Sequence, residues 1–359
     1  MARTVVPFGP QHPVLPEPVQ LTLFCEDDRV VDVAPVIGYC HRGIEKGAER
    51  NGIHQNVNLV ERICGICSFV HAQCYCQALE ELTKTPPPPR ARYLRVVWAE
   101  LSRIHSHLLW LGLFADGIGF ESAFMQLWRI REKVLDLLEA TSGQRVIVST
   151  CVIGGVRKDI DAEMARQILA AMKEIREDIK GPLSALANDY TVKVRTVGKG
   201  ILTAEQAIML GAVGPTLRGS GVAQDMRMLP YSSTYAELGF EPVVETDGDS
   251  YARMMVRIKE TYASIELVER AINSLPAGEI RTPVQNPPVG EVMMRVEQPR
   301  GELFYYAKGN GTPHLERLKV RTPTFANIPT LLVMLKGASV ADVPPIVLSI
   351  DPCISCTER

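Results

Sequence analysis

The chain has 359 residues, of which 46% are hydrophobic and 22% are charged, and its formal net charge is −2. These values are typical of a soluble globular protein with a sizeable core, and they give no reason to expect nucleic acid or an anionic membrane surface as a partner. Since no apolar run reaches the roughly 18 residues of a membrane span and no signal peptide is visible, we expect a cytoplasmic chain.

The N-terminal part of the sequence favours strands. Apolar and polar residues alternate over residues 19–23 and in part of residues 30–33, which predicts a small antiparallel sheet. We therefore expect a β-rich segment over residues 1–60. A helical pattern then covers residues 67–84 and ends at four consecutive prolines, which cannot continue a helix.

Three amphipathic helices follow, each with apolar residues at steps of three and four, and this pattern predicts a helix bundle. Their apolar stripes are Leu94, Val97, Leu101, Ile104, Leu108 and Leu111 in the first, Phe124, Leu127, Ile130, Val134 and Leu137 in the second, and Leu169, Met172, Ile175 and Ile179 in the third. We expect the third helix to be capped near Asp159 or Asp161 and to stop at Gly181-Pro182.

The remaining elements complete a fold that we predict to be α+β and mainly helical. Residues 190–235 favour loops with one short helix at about 203–210. A further helix is expected over 250–275, strands over 292–296 and 303–306, and a last helix over 328–335. We expect one domain over residues 1–359, with a long-helix bundle at residues 61–280 flanked by small peripheral antiparallel sheets. Its C-terminal segment, residues 281–359, holds the last strands and a terminal cysteine motif.

Two C-x-x-C pairs, Cys64 with Cys67 and Cys353 with Cys356, lie near opposite ends of the chain. Each such turn presents two thiolates, and two turns together make a four-sulfur metal site. On spacing alone, a structural zinc and an iron–sulfur cluster both stay open. In zinc modules the two cysteine pairs are usually separated by only tens of residues, and a domain with a large core needs no metal to stabilise it. Both facts disfavour zinc.

The residues around both pairs resemble the paired signatures of the nickel–iron hydrogenase large subunit. They are RICGICSFVH at 62–71 and DPCISCTER at 351–359. The resemblance implies the large-subunit fold of that family and four thiolates on nickel. Cys64 and Cys353 would be terminal nickel ligands. Cys67 and Cys356 would also bridge to an iron that carries carbon monoxide and cyanide.

The resemblance extends to groups that handle protons. Residues 9–18, GPQHPVLPEP, are similar to the N-terminal segment of membrane-associated hydrogenases and of the related complex I subunit. Glu17 matches the family glutamate that exchanges protons with a terminal thiolate, here Cys353. His71 lies one helical turn after Cys67 and is expected to donate a hydrogen bond to that sulfur. The alternatives are a surface glutamate between two prolines and an ordinary core histidine.

Further matches concern the surroundings of the metals. Arg300 matches an arginine held over the open metal position, and Asp351 and Asp116 match the carboxylates that orient it. Ser349 matches a residue that hydrogen-bonds a cyanide ligand. Each of these residues could otherwise belong to an ordinary salt bridge or turn.

A second metal, often magnesium, is also implied by the family pattern, and Glu45 matches one of its ligands. Other branches end in a histidine that helps to hold this metal, three residues past the last cysteine. Arg359 stands in that place, and a guanidinium does not coordinate cations.

Stretches shared with complex I, at residues 195–200, 214–221 and 321–327, extend the resemblance over the whole chain. They imply the group 4, energy-converting (Ech-like) membrane-bound hydrogenases, whose catalytic subunit splits and forms dihydrogen reversibly, consuming or releasing protons. The implied partners are a small subunit that carries the iron–sulfur clusters, a ferredoxin-type electron carrier, and integral membrane subunits that move protons or sodium ions. The implied location is the cytoplasmic face of the cell membrane.

Two other functions stay open on the sequence. One is a metal-free, complex I-like scaffold of a quinone site, against which the four intact cysteines argue because that lineage has lost them. The other is a zinc-stabilised assembly protein without redox chemistry.

Overall fold

The computed structural model of the protein describes residues 3–359 and has the mainly helical α+β fold that the sequence predicts. Three small antiparallel sheets consist of β1 (Arg3–Phe8), β2 (Gln20–Glu26) and β3 (Arg29–Val36), of β4 (Cys151–Val152) and β5 (Gly155–Val156), and of β6 (Val289–Gln298), β7 (Gly301–Asn310) and β8 (Leu315–Arg321). The helices are α1 (Ile44–Arg50), α2 (Ile53–Glu61), α3 (Ser68–Thr83), α4 (Pro89–Gly117), α5 (Glu121–Ser142), α6 (Ala162–Asn188), α7 (Tyr190–Thr196), α8 (Ala204–Met209), α9 (Pro215–Arg218), α10 (Ser233–Glu237), α11 (Ser250–Asn273), α12 (Pro323–Leu335), α13 (Val343–Ser349) and α14 (Ile354–Glu358). None of these helices is both long enough and apolar enough to span a membrane.

The centre of the molecule is a bundle of four long helices, in which α4 packs against α5 and α11, and α6 packs against α5 and α11. The predicted apolar stripe of α4 is buried along its whole length. The side chain of Asp161 caps α6 by accepting a hydrogen bond from the Met164 amide at 2.8 Å, as the sequence indicates.

The predicted end of the third helix at Gly181-Pro182 is wrong, because α6 continues through Pro182 to Asn188. A proline inside a helix removes one backbone hydrogen bond, and the carbonyl that loses its donor must find another partner. Gly181 is exposed and Pro182 is only half-buried, so water can reach this turn of the helix.

The N-terminal sheet confirms the predicted alternation, since the odd-numbered residues Leu21, Leu23 and Cys25 of β2 are all buried. The β-rich prediction does not hold to residue 60, because α1 and α2 occupy residues 44–61. These two helices are short, and tertiary packing against β8 and α3 outweighs their weak local signal.

The C-terminal sheet is larger than predicted. The two expected strands correspond to β6 and β7, a ten-residue hairpin pair, and the third strand β8 was not predicted. In β8 only Leu315, Leu318 and Val320 are buried, so the alternation that marks a strand is incomplete. The last predicted helix begins five residues earlier than expected, because Pro323 occupies the first turn of α12.

The two ends of the chain meet on one side of the molecule. The amide of Val30 donates to the Ala338 carbonyl at 2.9 Å, and the amide of Gly337 donates to the Val30 carbonyl at 2.7 Å. A second apolar cluster joins the N-terminal sheet to α12 and α13, apart from the larger core of the bundle. This packing carries the C-terminal cysteine pair toward the first pair.

Candidate metal centre

The first cysteine pair lies in the turn between α2 and α3. Cys67 immediately precedes α3, and its carbonyl accepts a hydrogen bond from the His71 amide at 3.2 Å. Its sulfur therefore lies at the N-terminus of a 16-residue helix, where unpaired amides favour a thiolate.

The second pair lies at the start of α14 and is fixed by neighbouring threonines. The Cys353 amide donates to Thr324 Oγ1 at 3.1 Å, and the Cys353 carbonyl accepts from Thr357 Oγ1 at 2.9 Å. Thr322 Oγ1 donates to the Cys356 carbonyl at 3.0 Å. The backbone of the motif is thus held by the first turn of α12 and its preceding residue.

The structure brings the two pairs together. Cys67 Sγ lies 3.4 Å from Cys356 Sγ, and Cys64 Sγ lies 3.4 Å from Cys353 Sγ. All four side chains are buried, and the sulfurs of Cys64, Cys67 and Cys356 lie within 4.8 Å of one another. A metal bound at about 2.3 Å to several sulfurs holds them roughly 3.5 to 4 Å apart, so this spacing suits metal ligands.

The protonation of the sulfurs also fits a metal. Hydrogen bonds from the Cys356 and Cys64 thiols lower the pKa of Cys67 to about 6. A hydrogen bond from Cys356 lowers the pKa of Cys353, but the bond to Cys64 and burial outweigh it and raise this pKa to about 11. Burial raises the pKa of Cys356 as well. Four buried thiolates therefore need a cation to coexist, and soft cations prefer this donor set.

His71 contacts a different sulfur from the one predicted. Its Nε2 lies 3.5 Å from Cys356 Sγ, and its Nδ1 lies 2.9 Å from the hydroxyl of Tyr305 in β7. Burial lowers the pKa of His71 to about 3, so the ring is neutral. Against a Cys356 thiolate the proton belongs on Nε2, and Nδ1 then accepts from Tyr305. The expectation for Cys67 is wrong because the side chain of His71 points across to α14.

Glu17 is held at the start of α14, next to Cys353. Its Oε2 accepts hydrogen bonds from the amides of Ile354 at 2.5 Å and Ser355 at 2.9 Å, and its Oε1 accepts one from the Ser355 hydroxyl. Burial, followed by the charge of Cys353, raises the pKa of Glu17. The Ser355 hydroxyl lies 3.6 Å from Cys353 Sγ and so stands between the sulfur and the carboxyl group.

Arg300 lies in the turn between β6 and β7, and Asp351 orients it. Its Nη2 pairs with Asp351 Oδ1 at 3.0 Å, and its Nε donates to the Asp351 carbonyl at 3.0 Å. Burial lowers the pKa of Arg300, but Asp351 and then Cys353 outweigh burial and raise it, so the guanidinium stays charged. Gly214 packs against this turn at φ +66, where an added Cβ would lie 2.4 Å from the Arg300 carbonyl oxygen.

One of the two remaining matched residues is placed differently from expectation. Asp116 is exposed at the C-terminal end of α4, and among residues 3–359 only Asp351 pairs with Arg300, so the predicted orienting role of Asp116 is wrong. Ser349 is buried, and its hydroxyl donates to the Ile346 carbonyl at 2.7 Å while accepting from Arg253 at 2.9 Å.

Glu45 does not fit a magnesium ligand. Its Oε1 accepts from Arg359 Nε at 2.9 Å and from the Val320 amide at 3.0 Å, and its Oε2 pairs with Lys319 at 2.9 Å. Burial raises the pKa of Glu45, but the bonds from Lys319, Val320 and Arg359 lower it further, so the carboxylate is ionised and already paired.

Arg42, which sequence reasoning missed, ties both cysteine motifs together. Its Nη1 donates to the Arg62 carbonyl, and its Nη2 donates to the carbonyls of Ile63 and Ser355, all at 2.9 Å. The signal lay within the stretch 38–46, which resembles the family, but a carbonyl-binding role leaves no spacing pattern. Tyr305 and Ser355 were missed as well, because the contacts of their hydroxyl groups with His71, Glu17 and Cys353 leave no spacing pattern either.

Comparison with known proteins decides the family. Residues 42–113 match the nickel-dependent hydrogenases, and residues 117–287 and 281–359 match the 49-kDa subunit of respiratory-chain NADH dehydrogenase. The chain belongs to this joint family of hydrogenase and NADH dehydrogenase large subunits. The first cysteine pair falls in the hydrogenase match and the second pair in the NADH dehydrogenase match.

Relatives of both kinds cover the full chain. It is 40% identical over 361 residues to the carbon monoxide-induced hydrogenase of Rhodospirillum rubrum, with 100% of both chains covered. It is 41% identical to the alpha subunit of the membrane-bound hydrogenase of Pyrococcus furiosus, covering 99% of this chain and 87% of the relative. It is 36% identical to a subunit of the NADH-quinone oxidoreductase of Dehalococcoides mccartyi, covering 99% of this chain and 98% of the relative.

Proposed function

We propose that this chain is the catalytic subunit of a group 4 nickel–iron hydrogenase, which splits and forms dihydrogen reversibly. The observation that carries the proposal is the meeting of four buried sulfurs from opposite ends of the chain, with contacts of 3.4 Å across the two pairs. A quinone-site scaffold has no need of four thiolates. A structural zinc has no need of the charged Arg300 and the carboxyl of Glu17 beside its ligands.

Cys64 and Cys353 would hold nickel, and Cys67 and Cys356 would hold both nickel and an iron that carries carbon monoxide and cyanide. Such a centre, when bound, supplies the heterolytic cleavage of dihydrogen. The fixed positive charge of Arg300 stabilises negative charge that develops next to it, and preorganised charge of this kind is often worth a few kcal/mol.

Protons leave and enter through Glu17. The pKa of Glu17 is raised toward neutral pH, which suits a group that must both accept and release a proton. The adjacent Cys353 sulfur is the partner in this exchange, and the Ser355 hydroxyl lies between them. His71 keeps the Cys356 sulfur oriented by a hydrogen bond from its neutral ring.

The same proposal includes the assembly around the chain. Electrons would pass through the clusters of a small iron–sulfur subunit to or from a ferredoxin. Integral membrane subunits would use the reaction to move ions, with this chain, one domain over residues 1–359, at the cytoplasmic face. The relative of Pyrococcus furiosus that is named a membrane-bound hydrogenase subunit supports the membrane-bound part of this arrangement.

A metal-free scaffold of a quinone site is the second candidate, since a relative that covers almost the whole chain is named as part of an NADH-quinone oxidoreductase. Metal analysis of the purified complex separates the two. We expect nickel and iron near one each per chain, together with infrared bands of metal-bound carbon monoxide and cyanide. Zinc alone would overturn the hydrogenase proposal, and absence of any metal would favour the scaffold.

A further inference from the structure

Both oxygens of the Glu45 carboxylate are engaged by groups of this chain. Oε1 accepts two hydrogen bonds, from Arg359 Nε and the Val320 amide, which occupy both of its lone pairs. Oε2 carries the Lys319 ammonium at 2.9 Å. A divalent cation would have to displace a cationic side chain to bind here.

The neighbouring carboxylate, that of Glu358, is engaged as well. It accepts hydrogen bonds from the backbone amides of Gly38, at 2.5 Å, and Cys40. The ring of His41 faces the Glu358 carbonyl, with Nδ1 2.7 Å from the oxygen. Hard cations such as magnesium need free oxygen ligands and keep their water reluctantly, so these occupied oxygens make a poor site.

The charge of the surrounding cleft also opposes a divalent cation. Four cationic side chains, against the two carboxylates of Glu45 and Glu358, line it: Lys46, Arg317, Lys319 and Arg359. Arg317 and Lys46 both pair with Glu49, and Lys319 and Arg359 both pair with Glu45. Like charges repel a divalent ion more strongly in a partly buried cleft than in water.

Arg359 fastens the helix that carries the second cysteine pair. Its Nε binds Glu45 of α1, its Nη1 donates to the Thr357 carbonyl at 2.8 Å, and its guanidinium lies 5.5 Å from the ring centre of Phe325. Because Lys319 and Val320 belong to β8, one carboxylate joins α1, β8 and the end of α14. Arg359, which makes this junction, follows Cys356 by three residues in the sequence.

We propose that the Arg359 guanidinium takes the structural place of a divalent cation, so that the centre assembles and keeps its metals without magnesium. Arg359 is thus a positioning residue for Cys356. The nickel measurements below rest on the proposed function, whereas the magnesium content and the thermal midpoint do not.

The test begins with the intact complex, treated with EDTA and analysed for magnesium and nickel by mass spectrometry. We expect much less than one magnesium per chain, and no change in nickel content or thermal midpoint after chelation. About one magnesium per chain, whose removal lowers either quantity, would overturn the proposal. A complex without any nickel would contradict the proposed hydrogenase function, and the magnesium content and thermal midpoint would then decide whether Arg359 takes the place of a divalent cation.

Variants test the guanidinium itself. Arg359→Ala should lose nickel several-fold and melt a few degrees lower, and methylguanidinium should restore the midpoint while a magnesium salt of equal ionic strength should not. Arg359→Lys is a second variant in case the alanine variant does not fold. It should recover only part of the lost nickel and thermal midpoint, because an ammonium group cannot reproduce the planar, multiple hydrogen bonds of a guanidinium. Arg317→Ala removes another guanidinium from the same cleft and should retain nickel. Equal behaviour of the Arg359 and Arg317 variants, or rescue by magnesium, would refute the proposal.

Discussion

A single hydroxyl group stands between the carboxyl group and the sulfur that we assign to proton transfer. The Ser355 Oγ contacts Glu17 Oε1 and lies 3.6 Å from Cys353 Sγ. The backbone amides of Ile354 and Ser355 hold the other oxygen of Glu17, so the carboxyl group cannot swing away without losing two hydrogen bonds. This arrangement fixes the donor and acceptor, which general acid–base catalysis requires.

Glu17→Gln tests this proton role. The amide keeps the size of the side chain and cannot carry a proton, so we expect nickel and iron to stay bound while hydrogen/deuterium exchange falls by about 10²-fold or more. Ser355→Ala should give a smaller decrease, and Ser355→Thr, which keeps the hydroxyl, should restore most of it. Intact exchange in Glu17→Gln would show that protons take another path.

Arg42 provides a second test at this scale, because one guanidinium holds the backbones of both cysteine motifs. Arg42→Lys keeps the charge but cannot reach three carbonyl groups at once, so the two motifs should separate more easily. We expect several-fold faster loss of nickel to a chelator. Arg62→Lys is the control, since the Arg62 guanidinium binds the Asn58 carbonyl at 2.7 Å and pairs with Glu61 at 3.8 Å, both partners lying in α2. Equal rates of nickel loss in both variants would show that Arg42 does not hold the two cysteine motifs together.

Individual residues were predictable where a motif marks them. The four cysteines, and the pair of Arg300 with Asp351, lie in recognisable stretches, and the structure brings each set together. Contacts that depend on the direction in which a side chain points were not predictable. The sequence spacing of His71 points to Cys67, yet the rotamer of its side chain selects Cys356, and no pattern in the sequence encodes that choice.

At the scale of elements, α4 and α11 are joined by buried charges as well as apolar side chains. Glu260 of α11 accepts two hydrogen bonds from Arg218, at 2.7 and 3.1 Å, and faces His107 of α4 at 2.9 Å. All three side chains are at most 1% exposed, so the charge of Glu260 must be balanced, and its oxygens hydrogen-bonded, within the protein. Burial raises the pKa of Glu260, but Arg218 and then His107 outweigh burial and keep it well below the usual value.

Glu260→Ala should therefore destabilise the fold strongly. Removal of Glu260 takes one of three carboxylate partners from the buried Arg218, which also pairs with Asp225 and Glu297, and it leaves His107 Nε2 without its partner. We expect a loss toward the lower end of the about 3–5 kcal/mol that breaking a buried ion pair typically costs. The free energy of unfolding from urea titration measures this loss. Glu266→Ala, on the same helix, breaks an exposed pair with Arg270 and should cost about 0.5 kcal/mol or less. Similar losses in the two variants would mean that the buried network does not stabilise the α4–α11 contact.

Helices with a long apolar stripe were predictable, and elements defined by their neighbours were not. The stripe of α4 marks its buried face without ambiguity. By contrast, β8 has exposed charged residues on both sides of its few apolar ones and becomes a strand because β7 offers it a partner. Buried charges such as Arg218 and Glu260 are invisible to hydrophobic patterns, since each lies in a polar position of the sequence.

At the scale of the whole molecule, the sulfurs join segments that are 289 residues apart in the chain. The N-terminal sheet already packs against α12 and α13, so the approach of the two ends does not depend on a metal alone. The helix α14 has only five residues and packs against α12, where Thr322 and Thr324 hold its cysteine motif. Glu17, Arg42 and the sulfurs join it to the N-terminal part of the chain.

Removal of the metals should consequently loosen one region and leave the rest unchanged. We expect the amides of α14, and of the turn that holds Cys64 and Cys67, to lose protection by about 10²-fold or more in hydrogen exchange. The amides of the four-helix bundle should keep theirs, because their protection comes from apolar packing. Cys25→Ser with its metals bound is the control, since Cys25 is buried in the N-terminal sheet away from the centre. If exchange stays unchanged throughout the metal-free chain, the fold itself holds the sulfurs in place, and the metals contribute nothing to joining the two ends.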